Sequence, residues 1–119
     1  MIYAFEKLKV WQLSRTFVKN TYGLTGKYPA EEKYGLVSQL RRASVSVSSN
    51  IAEGSVRWSR KEQARFYEIA YGSLIEVLNQ LILSNDLGFI SDQELGEVRK
   101  QLDEVGRMLN ALFANSKKG

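Results

Sequence analysis

An all-α fold, arranged as an antiparallel up-down-up-down four-helix bundle, is predicted for this 119-residue chain. Three observations predict it. Apolar residues recur at three- and four-residue steps in four separate stretches, the period of a helix face. Short segments rich in helix start and stop residues join those stretches. The alternating run Ala43-Ser44-Val45-Ser46-Val47-Ser48 reads as a strand in isolation, but no second run of useful length exists to pair with it.

The first helix is expected over residues 6–25. Val10, Leu13, Phe17, Leu24 and Tyr28 form one stripe, and Trp11, Val18 and Tyr22 an adjoining one. Lys27-Tyr28-Pro29-Ala30 is the turn. Pro29 suits a first helical position, and Glu31 and Glu32 suit the positive end that follows. The second helix is therefore expected over 29–53, with Gly35 as a weak point where a short break fits. Leu36, Leu40, Ala43, Val47 and Ile51 line its buried face. Ser59-Arg-Lys-Glu62 is a capping box that opens a third helix over 60–87. Tyr67, Tyr71, Leu74, Leu78 and Leu81 keep a heptad rhythm there, while Phe66, Ile69, Ile75, Ile82 and Leu83 form a second apolar flank. Such a helix is central in the bundle or shared with another subunit. Gly88 is its stop. A second capping box, Ser91-Asp-Gln-Glu94, opens the fourth helix over 92–114, where Leu95, Val98, Leu102, Val105, Leu109 and Leu112 form the cleanest seam. Residues 115–119 are polar and expected to fray.

The stretch from Ser38 to Trp58 is unlike the rest in mixing small, polar and basic side chains. Its serines and alanines are poor helix formers, so close packing against neighbours must compensate. The serines fit either tight core packing or a polar, ligand-binding seam. Asn50 and Glu53 are three apart and share a face. Gly54 fits a helix stop or a close approach, and Gly72-Ser73 again points to close approach. Glu76 is the carboxylate expected to be buried, with an arginine as partner and a structural role.

Composition narrows the chemistry. With no cysteine and no histidine, the chain forms no disulfide, presents no thiol nucleophile or Cys/His zinc site, and lacks the commonest general base. No nucleophile–base constellation is visible, so no catalytic residue, metal ligand, cofactor or small-molecule substrate is assigned and a non-enzymatic role is expected. One domain spanning 1–119 is expected at this length. No apolar run is long enough to span a membrane, and Met1–Glu6 lacks a signal layout, so a cytoplasmic location is expected. Net charge is +4 but unevenly spread. Residues 41–65 carry six bases and two acids, whereas residues 66–95 carry five acids and no base. Such a field suits an anionic partner on the basic side or self-association of basic patch on acidic patch. The candidate nucleic-acid contacts are Arg41, Arg42, Arg57, Arg60, Lys61 and Arg65 for phosphates and Trp58 for stacking.

The motifs Leu8-Lys-Val-Trp11, Pro29-x-Glu-Glu32, Leu36-Val-Ser-Gln-Leu-Arg-Arg42, Ser48-Ser-Asn-Ile-Ala-Glu-Gly54 and Ala70-Tyr-Gly-Ser-Leu-Ile-Glu76 span nearly the whole chain. Together they resemble the bacterial four-helix-bundle family encoded in the intervening sequences of 23S ribosomal RNA genes. More distantly they resemble the accessory protein of diversity-generating retroelements. The resemblance implies a four-helix bundle, a homopentameric ring and a link to RNA or DNA, with no catalytic residues to carry over. Tyr71 stands where a family arginine precedes the Gly-Ser of the third helix. Two functions follow as expectations: an oligomeric protein that binds RNA or DNA through its basic surface, or a protein–protein scaffold that binds no nucleic acid.

Overall fold

The computed structural model describes residues 1–118, with side chains as far as Ser116. Four helices, α1 (Lys9–Thr25), α2 (Leu36–Ser55), α3 (Arg60–Asp86) and α4 (Asp92–Lys118), form a bundle with no strand among the described residues. The serine-rich run is helical throughout. Its buried face is Leu40, Ala43, Val47 and Ile51, joined by Val37 and Ser44. Each helix packs on its neighbours in sequence, and α4 closes the bundle against α1. On α2 and α3, Gln39 meets Gln80, Arg42 meets Glu76 and Ser46 meets Ser73, so the two run antiparallel.

The core is a continuous column: Val10 and Phe17 from α1, Leu40, Val47 and Ile51 from α2, Leu74, Val77 and Leu81 from α3, Val98, Val105 and Leu109 from α4. Three hydroxyls on the core side of α1 are also buried. Ser14 donates to Trp11 O, Thr21 to Phe17 O and Thr25 to Thr21 O, so each is satisfied within its own helix.

Several boundaries differ from the sequence reading. A 3-10 turn at Ala4–Lys7 precedes α1, so the regular helix starts at Lys9 and not at residue 6. Pro29 leads into a 3-10 turn, Ala30–Glu32, and α2 begins only at Leu36, after Gly35. Helix α2 runs through Gly54 to Ser55, so Gly54 is not a stop. A Cβ there would lie 2.8 Å from Phe66 Cβ and 2.9 Å from Tyr67 Cε1, so Gly54 permits a close approach between α2 and α3. Gly72 is the reverse. It is exposed with no heavy atom within 4 Å of an added Cβ, so the close approach expected there is absent. Gly88, at φ 82°, ends α3 in the left-handed conformation that favours glycine. Helix α4 continues to Lys118, beyond the end expected at residue 114, and Gly119 lies outside the described residues. No helix among the described residues is long and apolar enough to cross a membrane.

Candidate nucleic-acid interface

The turn between α2 and α3 is short and tied down. Val56 N donates to Glu53 O and Arg57 N to Gly54 O, which closes the end of α2. Ser59 Oγ then accepts from Glu62 N at 3.1 Å, capping α3. Gln63 Nε2 reaches back to Arg57 O at 3.0 Å, clamping the turn onto the first helical turn of α3. Arg57 and Trp58 are therefore displayed from a fixed frame.

Their surroundings are cationic. The Arg57 guanidinium lies 4.5 Å from the Phe66 ring centroid. Arg60 donates to Asn115 O on α4 at 3.2 Å. Lys61 and Arg65, one helical turn apart on α3, are exposed and have no ion-pair partner among the described residues. Trp58 is 101% exposed. Beside it, a cavity of about 350 Å³ is lined by Trp58, Arg60, Gln63, Tyr67, Leu112, Asn115 and Ser116. Burial of Tyr67 pushes its hydroxyl pKa above the usual 10.0. The start of α1, with Lys9, packs beside Asn115 at the end of α4, so it adds to the same end of the bundle.

The opposite end is anionic. Asp92 accepts from Asn85 Nδ2, and Glu94 lies 3.8 Å from Lys27 Nζ. Glu94 completes a full capping box: Ser91 N donates to its carboxylate at 2.9 Å, and Glu94 N donates to Ser91 Oγ at 3.1 Å. The Ser91 N–H chiefly holds its carboxyl below the ordinary value.

The structure thus divides the residues singled out in the sequence. Arg57, Trp58, Arg60, Lys61 and Arg65 lie on the α2–α3 turn and the first two turns of α3, and Trp58 and Arg60 share a cavity wall. Arg41 and Arg42 do not join them. At ~1.5 Å per helical residue, Arg41 lies about 20 Å from the turn. Its guanidinium is also engaged internally: Nε donates to Thr25 Oγ1 at 2.9 Å, Nη2 to Tyr22 O at 3.4 Å, and the group sits 4.5 Å from the Tyr22 ring centroid. It caps the C-terminal end of α1. Arg42 pairs with Glu76 at 3.3 Å, with the side chains 68% and 39% exposed. Glu76 therefore has the arginine partner expected but is not buried.

Glu76 belongs to a polar ladder along the outer α2–α3 seam. Gln80 Nε2 donates to both Glu76 Oε2 and Gln39 Oε1 at 3.1 Å. Ser46 and Ser73 share a hydrogen bond of 2.9 Å, and Asn50 Nδ2 donates to Ser46 O and Oγ. Among the described residues no hydrogen bond joins Asn50 to Glu53, which is exposed. Tyr71 is half-buried and packs toward Gly106 of α4, so it contributes shape and not charge. Gln63 and Asn115, the amides at the cavity, carry no mark in the sequence, because a lone amide has no period and no charge.

The fold and this site define a class: a small all-α protein, free of cysteine and histidine, with an open cationic face at one end of a helical bundle. The chain belongs to the family described as "23S rRNA-intervening sequence protein", whose profile matches residues 6–111. Among solved structures it is similar to a crystal structure of a protein of unknown function from the S23 ribosomal protein family of Bacteroides thetaiotaomicron VPI-5482. That likeness has a TM-score of 0.81 at 21% identity and covers 87% of this chain and 97% of the other, and at that identity it shows the fold. No curated protein matches the chain.

Proposed function

We propose that this protein is a non-enzymatic, oligomeric bundle that binds RNA or DNA through the cationic end of α3. The observation that carries this reading is the placement of Arg57, Arg60, Lys61 and Arg65, with the exposed Trp58, on the α2–α3 turn and the first two turns of α3, while the acids Asp92 and Glu94 lie at the far end. Cations on a rigid frame suit a phosphate backbone, and the release of condensed counterions drives their contribution to affinity. Arg41 and Arg42 take no part, being held by Thr25, Tyr22 and Glu76. Binding to structured RNA and to duplex DNA across a salt series tests the proposal. Affinity is expected to fall steeply with salt and to be lost when Arg57 and Arg60 are both changed to glutamate. Affinity that ignores salt, or survives that double reversal, overturns it.

A second observation favours self-association, either as part of this function or, in the scaffold reading, as the whole of it. Val45, Ile69, Ile75 and Leu83 are each more than 40% exposed on α2 and α3. Scattered apolar side chains are ordinary, but these four lie on one adjacent pair of helices, with Ile75 at the α3–α4 groove beside Leu78 and Gly106. The family resemblance makes a pentamer the expected form. Sedimentation at micromolar concentration should show an oligomer that Ile75→Glu weakens. A monomeric wild-type chain removes this part of the proposal.

A further inference from the structure

We propose that the cationic end takes an unpaired nucleobase, stacked on Trp58, and so prefers single strands to duplex. The inference rests on the nucleic-acid reading above and narrows it to one class of ligand.

The indole is the largest apolar side chain on this end and is fully in water. Such a ring brings a large contact area at low conformational cost. It is not carried on a loose loop. The Ser59 cap and the Gln63 clamp fix the turn on both sides of it. Among the described residues no other ring or cation stacks on it, so both faces are open.

The groups around the ring match the rest of a nucleotide. Arg60 shares the cavity wall with the ring and Arg57 is its chain neighbour, and both are cations suited to phosphate. The cavity beside it lies at the small end of the ~300–1,000 Å³ range of ligand sites. Gln63 and Asn115 at its wall offer amide groups to a base edge. Gln63 uses one N–H on Arg57 O, which leaves its carbonyl oxygen unengaged.

Duplex explains the cations but not the ring. In a duplex both faces of each base are covered by neighbouring bases, and phosphate contact needs no aromatic. A single strand exposes those faces, and every base has one, which makes stacking tolerant of sequence. A second copy presenting the same end is disfavoured by like charge.

The test uses the full chain with Trp11→Phe, which leaves Trp58 as the sole tryptophan. Labelled RNA and DNA single strands of ~12 nucleotides, within the usual site sizes, are compared with the same sequences annealed to their complements. Single strands of at least one sugar type are expected to bind more tightly and to quench Trp58 emission. Trp58→Ala should weaken single-strand binding by about 5- to 150-fold, with duplex binding unchanged and Trp58→Phe restoring most of the loss. Helical circular dichroism checks that each variant folds. Salt-dependent binding that is indifferent to Trp58, or equal for duplex and single strand, overturns this inference and leaves the proposed function standing. Loss of oligomer in Trp58→Ala with single-strand affinity intact assigns the ring to a protein contact and also overturns it. Absence of salt-dependent binding to any nucleic acid removes the proposed function itself.

Discussion

At Gly54 an added methyl group has nowhere to go: Phe66 Cβ and Tyr67 Cε1 stand within 3 Å of where it would sit. Both belong to a packed seam, so relief requires moving α3. Gly54→Ala is expected to cost about 1–3 kcal/mol, as overpacking of a closed core does. Gly72→Ala, on an open helix face, is expected to stabilise by up to about 1 kcal/mol. Urea midpoints at unchanged m-value measure both, and equal effects would contradict the contrast drawn here. Glu94 gives a pH-dependent case. Its carboxyl is held below the ordinary 4.5, chiefly by the Ser91 N–H. A depressed folded-state value means the contribution is complete above pH 4.5 and is lost as pH falls through the folded value. The stability gap between wild type and Glu94→Gln should therefore narrow in acid. A gap that stays constant down to pH 2 would sink the assignment.

Helix α2 shows what the spacing of residues reveals and what it hides. Leu40, Ala43, Val47 and Ile51 declare a helix face despite poor propensity, and that face is the buried one. Its start was legible only as the break that Gly35 allows. Pro29, Glu31 and Glu32 are real initiation signals, yet they serve a three-residue 3-10 turn. So short an element has no period to read. The polar ladder was half legible: an arginine partner for Glu76 follows from charge, whereas Ser46 on Ser73 depends on the register of two helices. The Arg42–Glu76 pair at the edge of that ladder is open to water, so its strength is bounded. A double-mutant cycle on Arg42 and Glu76 is expected to give about 0.2–1 kcal/mol, shrinking with salt. A coupling of several kcal/mol would mean the pair is buried in solution.

Across the whole molecule, charge is sorted end to end, and this the sequence told only in outline. It showed basic and acidic segments, but not that Arg41 turns inward to α1 while Lys61 and Arg65 stay free of ion pairs. That distinction depends on Thr25 and Tyr22, from a different helix. It yields a prediction that separates the two arginine groups. If four cations meet phosphates of duplex DNA, log affinity falls against log salt with a slope of about −3 to −4. Arg57→Ala is expected to reduce that slope by about 1. Arg41→Ala should leave the slope alone and lower the thermal midpoint instead, because it uncaps α1. A slope that responds equally to both would place them on one surface.

The self-satisfied hydroxyls of α1 bear on how the bundle holds its alignment. Ser14, Thr21 and Thr25 each return their proton to a carbonyl of their own helix. Ser14 and Thr21 ask nothing of the neighbouring helices, which feel only their outline, and Thr25 alone of the three also accepts from Arg41 of α2. Directional bonds tie α2 to α3 along the ladder, whereas α1 is located by side-chain shape and by the Arg41 grip on its last turn. Sliding or rotation of one helix past another should therefore begin with α1, and the α2–α3 pair should be the last to lose its register.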